Sequence, residues 1–137
     1  MKISDLDRGW LAGIIDGEGS ISLMPRGKGI FRVPRISVAS SDIEILYKCV
    51  EIFGGGIVCK KEKRKAHYKE AYEWRIYGSR NAIELLNNIV DSLYCPKKKA
   101  RARYIIDNYH KVTHRNGQYT ESQKEAKFKF EEGFFLL

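Results

Sequence analysis

Two carboxylates one residue apart, Asp16 and Glu18 in the run Asp16-Gly17-Glu18-Gly19, are the groups of this chain best placed to do chemistry. They end a segment of helical apolar period that carries Gly9, Gly13 and Gly17 at four-residue spacing. Each glycine inside a helix costs about 1 kcal/mol relative to alanine, so a stripe of them needs a compensating contact. A stripe without Cβ atoms lets another backbone approach closely. Two packings meet that need: the same helix of a second copy about a two-fold axis, or a neighbour within the monomer. In the first, two copies of one carboxylate meet beside the axis and repel unless a cation lies between them. Oxygen ligands suit Mg2+, which keeps waters, lowers the pKa of one and stabilises a leaving oxygen, the outline of phosphodiester hydrolysis. In the second, Asp16 is a capping acid and Glu18 a surface residue.

The elements that must position these acids follow from periodicity. Leu6, Trp10, Leu11, Ile14 and Ile15 predict a helix over residues 4–16, opened by Ser4 with Asp7 as a capping pair. Residues 19–24 alternate, and after the turn Pro25-Arg26-Gly27-Lys28-Gly29 a second strand over 30–40 completes a hairpin. Ser41 with Glu44 predicts the cap of a second helix carrying Ile43, Leu46, Tyr47, Val50 and Phe53 and stopping at Gly54-Gly55-Gly56. A second hairpin pairs 57–63 with 68–77, with Tyr72, Trp74 and Ile76 on one face and Glu73, Arg75 and Tyr77 on the other. Gly78-Ser79 caps a third helix bearing Ile83, Leu86, Ile89, Val90 and Leu93, and Pro96 opens a further helical stretch over 97–109. The order is α-β-β-α-β-β-α, an α+β fold over residues 1–110, followed by a C-terminal helical extension of the same domain, 111–137. Thr120-Glu121-Ser122-Gln123 starts a helix there, and Phe134-Phe135-Leu136-Leu137 ends it. Either that apolar end docks on the body or the tail frays.

Composition narrows the partner. The chain has 137 residues, 43% of them apolar, enough for one buried core and too many for general disorder. Its net charge of +8 points to a polyanion, with nucleic acid foremost. No apolar run reaches the length of a membrane span, and acids stand where a signal peptide needs an apolar stretch, so the expectation is an intracellular protein with no membrane partner, its compartment (organelle, cytoplasm or nucleus) left open. Cys49, Cys59 and Cys95 lack the spacing of a zinc site or a disulfide framework and read as reduced structural thiols. His110 and His114 share a helical face without a third ligand, and Gly54-Gly55-Gly56 follows a helix, the wrong order for a phosphate loop.

Residues 11–19, LAGIIDGEG, resemble the signature of the LAGLIDADG homing endonucleases, matching at Leu11, Ala12, Gly13, Ile15, Asp16 and Gly19 and departing at Ile14, Gly17 and Glu18. A single copy of the motif implies the homodimeric branch of that family. The resemblance implies that Glu18 binds the catalytic divalent metals at the dimer axis, Mg2+ with Mn2+ as a substitute, that the Gly17 carbonyl adds a contact, and that Gly9, Gly13, Asp16 and Gly17 line the dimer interface, with Asp16 chiefly a structural acid.

It also implies a four-stranded antiparallel saddle that reads double-stranded DNA. The strand faces can then be sorted: Ser20, Ser22, Met24 and Arg26 outward, with Lys28 in the turn, and Ile21 and Leu23 inward. On the second strand Phe31, Val33, Arg35 and Ser37 point outward and Ile36 and Val38 inward, unless a bulge at Pro34 shifts the register. Cys59, Lys61 and Lys63, then Glu73, Arg75 and Tyr77, complete the outer face. Arg35 and Arg75 are the candidates for guanine, whose two acceptors fit an Arg fork. Lys60, Lys61, Lys63, Arg64 and Lys65 suit phosphates. Ser40 corresponds to a polar position, often glutamine in relatives, at the end of the second strand, and Glu44 to one that is basic in some. Lys97 corresponds to a lysine near the metals, with Lys98, also a candidate DNA contact, as its alternative. The function implied is a site-specific endonuclease cutting a long pseudo-palindromic target, one strand per subunit, by metal-activated water and leaving a short 3′ overhang. The alternative is a binder that kept the scaffold and lost the chemistry, either a maturase acting on host intron RNA or a DNA-binding regulator. The acid at Glu18 and the base at Lys97 favour the nuclease.

Overall fold

The computed structural model describes residues 2–63, 65–67, 69–115 and 118–137. Helix α1 (Asp5–Glu18) opens as its cap predicts, Ser4 Oγ accepting the Asp7 N–H at 3.1 Å. It runs past the predicted end, so Glu18 is its last residue. Leu11, Ala12 and Ile15 are buried beneath it. Strands β1 (Gly19–Pro25) and β2 (Arg32–Ser40), helix α2 (Ile43–Phe53), strands β3 (Ile57–Lys60) and β4 (Tyr72–Ile76) and helix α3 (Ser79–Ile89) follow in the predicted order. A 3-10 turn (Val90–Ser92) leads to α4 (Pro96–Asn108), and a second (Tyr109–Lys111) precedes α5 (Glu121–Phe135).

The strands form one antiparallel sheet in the order β1-β2-β4-β3. Ile21, Ile36 and Ile76 sit abreast on its inner face, as do Val38, Trp74 and Val58. The helices bury this face: Leu46 and Cys49 of α2, Leu85 and Leu86 of α3 and Ala102 and Ile105 of α4 join the same core. Burial pushes the Cys49 thiol up to about 12, so it stays protonated. Pairing runs through Leu23↔Pro34 with no slip, so Pro34 introduces no bulge. The proline stands where β2 has β1 alone beside it, β4 joining only from Ile36, so its missing N–H leaves no gap in a second ladder.

Three local predictions change. The cap of α2 is Asp42 with no side-chain bond of its own; Ser40, not Ser41, supplies the hydroxyl, accepting the Asp42 N–H at 2.9 Å. β3 stops at Lys60 and β4 starts at Tyr72, both shorter than predicted, with one more bond from Lys61 N–H to Ala71 O at 2.8 Å. Tyr68, the predicted start of the fourth strand, lies outside the described residues, as does Arg64. The extension docks. Thr120 and Gln123 close a reciprocal capping box, and Phe130 and Phe134 enter the core from α5. Among the described residues no helix is long and apolar enough to cross a membrane.

Candidate active site and nucleic-acid interface

The C-terminal end of α1 concentrates negative charge: Asp16, Glu18 and the helix's own carbonyls, with no basic residue in its last turn. The fold answers with α4, whose N-terminal end meets it. Asp16 is half-buried, and its two carboxylate oxygens accept the N–H groups of Tyr94 at 2.9 Å and Cys95 at 3.0 Å, just ahead of α4. Both are therefore committed within the chain, and Asp16 is a structural acid here. Lys98, from the first turn of α4, donates to Ile15 O at 2.9 Å and Asp16 O at 2.6 Å. Lys97 is exposed. The lysine that the structure brings to the helix end is thus Lys98.

Gly19 turns the chain from α1 into β1. A Cβ there would stand 2.7 Å from Ile15 Cα, so no larger residue fits while the strand folds back this tightly. Gly17 and Glu18 are left exposed at the helix end. Gly9 and Gly13 are exposed as well, and a Cβ at any of the three glycines would meet nothing within 4 Å. Of the two packings open to the stripe, the one within the monomer is not found among the described residues. Leu6, 83% exposed, extends this face by one more turn. Ser40 lies two residues beyond Val38, the ladder partner of Gly19. It is engaged as an acceptor by Asp42, leaving its hydroxyl proton to donate.

The outer face of the sheet follows the predicted alternation except at Phe31, which lies just ahead of β2 and packs instead on Tyr119 and Phe128 of the C-terminal segment. Ser20, Ser37, Arg75 and Ile57 form one row across the four strands, Ala39, Glu73 and Cys59 a second, and Ser22 with Arg35, then Met24 with Val33, continue along the first hairpin. Arg26 and Lys28 are exposed beyond its end, and Tyr77 beyond β4. Lys61, Lys63 and Lys65 are exposed past β3 rather than in it. The pairing of Arg75 was not legible: its Nε donates to Glu73 Oε1, which raises the guanidinium's pKa further, and Lys61 Nζ lies 3.8 Å from the other Glu73 oxygen. Glu73 therefore holds two of the expected DNA contacts. Arg101 was missed too; it donates to Ile21 O at 3.1 Å behind β1. Its place four residues into a lysine-arginine run gave no signal that it points inward.

Three comparisons bear on this geometry. The LAGLIDADG endonuclease family matches residues 11–110. No curated protein sequence matches the chain. Among solved structures, the group I intron-encoded homing endonuclease I-CeuI complexed with DNA superposes with a TM-score of 0.62 at 17% identity, over 98% of this chain and 68% of that one. The homing endonuclease I-TnaI superposes at 0.58 with 21% identity, over 95% and 99%. The LAGLIDADG meganuclease I-CpaMI bound to uncleaved DNA gives 0.56 at 19% identity, over 91% of this chain but 49% of the other. The fold, the motif at the end of α1 and the family match agree, and the chain belongs to the LAGLIDADG endonuclease family.

Proposed function

We propose that the protein is a site-specific, homodimeric DNA endonuclease. The observation that carries this reading is the glycine face of α1, where an added Cβ would meet nothing within 4 Å among the described residues, with Glu18 at its end. Two copies of α1 packed on that face recover the glycine cost and bring the two Glu18 carboxylates together at the axis. Coverage of nearly all of I-TnaI but about half of I-CpaMI supports the same unit being used in pairs.

Among the described residues of one chain no three His, Cys, Asp or Glu side chains stand close enough to hold a metal ion. The Glu18 carboxylate and Gly17 carbonyl are hard oxygen donors, the kind Mg2+ or Mn2+ takes, and the second copy completes the set. When bound, such a cation supplies charge neutralisation at the scissile phosphate and acidifies a water. A crystal structure of the homing endonuclease I-CvuI with DNA not cleaved was obtained in the presence of 2 mM Mg.

The chain's own residues do the rest. Lys98, fixed on the carbonyls of Ile15 and Asp16, presents fixed positive charge to the phosphate between Glu18 and α4. Ser40 donates its hydroxyl proton to orient water. The net charge of +8 and the lysines past β3 hold the backbone, while Arg35, Ser37 and Arg75 read base edges in the major groove. Glu73 keeps Arg75 in a set orientation, which favours one base over another.

Cleavage selection from a duplex library randomised over roughly two helical turns, with Mg2+, tests the reading. Cut, pseudo-palindromic products are the expected result. Binding without cutting would make the chain a binder on a nuclease scaffold, a DNA regulator or a splicing helper for intron RNA.

A further inference from the structure

Five separate contacts run from the C-terminal segment to the back of the first hairpin, and they converge on two residues. Phe31 packs on Tyr119 at 4.9 Å and on Phe128 at 5.2 Å between ring centroids. Lys127, only 2% exposed, sets its ammonium 5.5 Å from the Phe31 ring and 4.6 Å from that of Tyr109, and donates to Thr113 Oγ1 at 2.6 Å. Glu131, 8% exposed, accepts the Arg32 N–H at 3.1 Å. The Arg32 guanidinium lies over the Phe135 ring at 4.9 Å and donates across the hairpin to Leu23 O at 3.2 Å. Arg32 shares the inner parity of Pro34 and Ile36, so α5 grips the hairpin from behind the reading face.

The placement of α5 is itself fixed. Tyr104 Oη donates to Phe130 O at 2.8 Å, and a Cβ on Gly133 would overlap that hydroxyl, so α5 seats on α4 in one position. Burial also lowers the pKa of Lys127, with Glu131 opposing the shift. A buried Lys and Glu are a costly way to attach a helix that apolar side chains would attach as well or better. What charged, directional contacts add is one defined position, here that of Phe31 and Arg32, the point where β2 begins.

We propose that Lys127 and Glu131 are positioning residues for DNA readout, holding the distal end of the β1–β2 hairpin so that Arg26, Val33 and Arg35 meet the outer base pairs of each half-site in a set orientation. The inference rests on the endonuclease reading. Since β1 leaves the end of α1 at Gly19 and rises about 3.4 Å per residue, close to one base pair, its inner residues face the centre of the target and its distal ones the ends. A loosened grip therefore acts on outer positions only.

The test is a base-by-base discrimination profile of the full-length dimer on its selected target, every base pair of one half-site replaced singly, for wild type, Lys127→Met and Glu131→Gln. Discrimination at the outer positions is expected to fall about tenfold, with inner positions and the rate on the preferred target within about twofold. A merely structural role would lower the melting temperature and leave the profile unchanged or shift it evenly, and either profile overturns the inference. Should both variants be too unstable to assay, Phe128→Ala removes a half-exposed ring on Phe31 and is read the same way. If wild type binds without cutting, the profile is taken from binding. A wild type that selects no sequence at all overturns the endonuclease reading itself, a different outcome from an even profile on a real target.

Discussion

The two hairpins of the sheet hold equivalent places, β1 and β3 at the edges and β2 and β4 between them, yet they are supported by different physics. The first pairs continuously from Gly19↔Val38 to Pro25↔Arg32, and buried contacts from α5 hold its far end. The second pairs only from Ile57↔Arg75 to Lys60↔Tyr72. Its inner end is anchored by Trp74, whose indole N–H donates to Gly55 O at 3.0 Å and whose ring meets Phe53. At and past the strand ends it has the single Lys61 N–H to Ala71 O bond and the ion pairs Lys60–Glu70 at 2.8 Å and Lys61–Glu73 at 3.8 Å, which water and salt screen. The first hairpin is thus preorganised to its tip, whereas the second is preorganised at its base and charged beyond it. On the proposed function, the first hairpin is the rigid reader and the second meets the phosphates with cations held only by solvent-screened pairs.

The largest effects come from two buried rings, Trp74 of β4 and Phe134 of α5, the helix that holds the first hairpin. Phe134→Ala and Trp74→Ala, both removing side chains with no exposure, should each destabilise by about 3–5 kcal/mol in urea unfolding. Hydrogen exchange should tell them apart, the first raising exchange along β1 and β2 and the second along β3 and β4; equal effects on both hairpins would dissolve the comparison. Next comes Gly56→Ala. Its φ of 93° is left-handed and an added Cβ would overlap the Trp74 indole nitrogen, so a loss of about 2 kcal/mol or more is expected from the same measurement.

Smaller and purely electrostatic is Glu73→Gln. It releases Lys61 and Arg75 together, so affinity for unselected duplex should rise and the slope of log K against log salt should steepen by about 1, while discrimination at the base pair under Arg75 falls. The smallest effect is at Lys60–Glu70. Their hydrogen bond holds the Glu70 carboxyl below its ordinary range and the Lys60 ammonium above its own. The pair's contribution is therefore present at neutral pH, lost as pH falls through the lowered Glu70 value and lost again as pH rises through the raised Lys60 value. Both groups are exposed, so Glu70→Gln should leave the melting temperature unchanged at high salt.

What the sequence revealed was whatever depends on neighbours along the chain. The alternation of β1, β2 and β4 assigned their faces, and local caps at Ser4 and Thr120 marked two helix starts. Residues 61–71 hold no Gly, Pro, Asn, Asp or Ser to mark a turn, and nothing local says where a ladder stops, so the predicted β3 and β4 are too long. Asp16 was legible as structural, but its partners Tyr94 and Cys95 lie 78 and 79 residues away. In a run of three lysines the one that meets α1 is decided by the rotation of α4, which composition does not carry; that is why Lys97 and Lys98 stood as alternatives. Nothing local marks Lys127 and Glu131 as buried, since charged residues usually are not, and the aromatic rings around Lys127 come from three other segments.

Glu18 stands exposed at the end of a helix face that meets no neighbour among the described residues. The most direct measurement is Mg2+-dependent cleavage of the selected target by wild type and Glu18→Gln, with duplex affinity measured alongside. Binding as tight as wild type or tighter, with cleavage down about a thousandfold or more, is the predicted result, since the substitution removes a charge that acts on the transition state and nothing that reads DNA. A Glu18→Gln protein that cuts at the wild-type rate would contradict it.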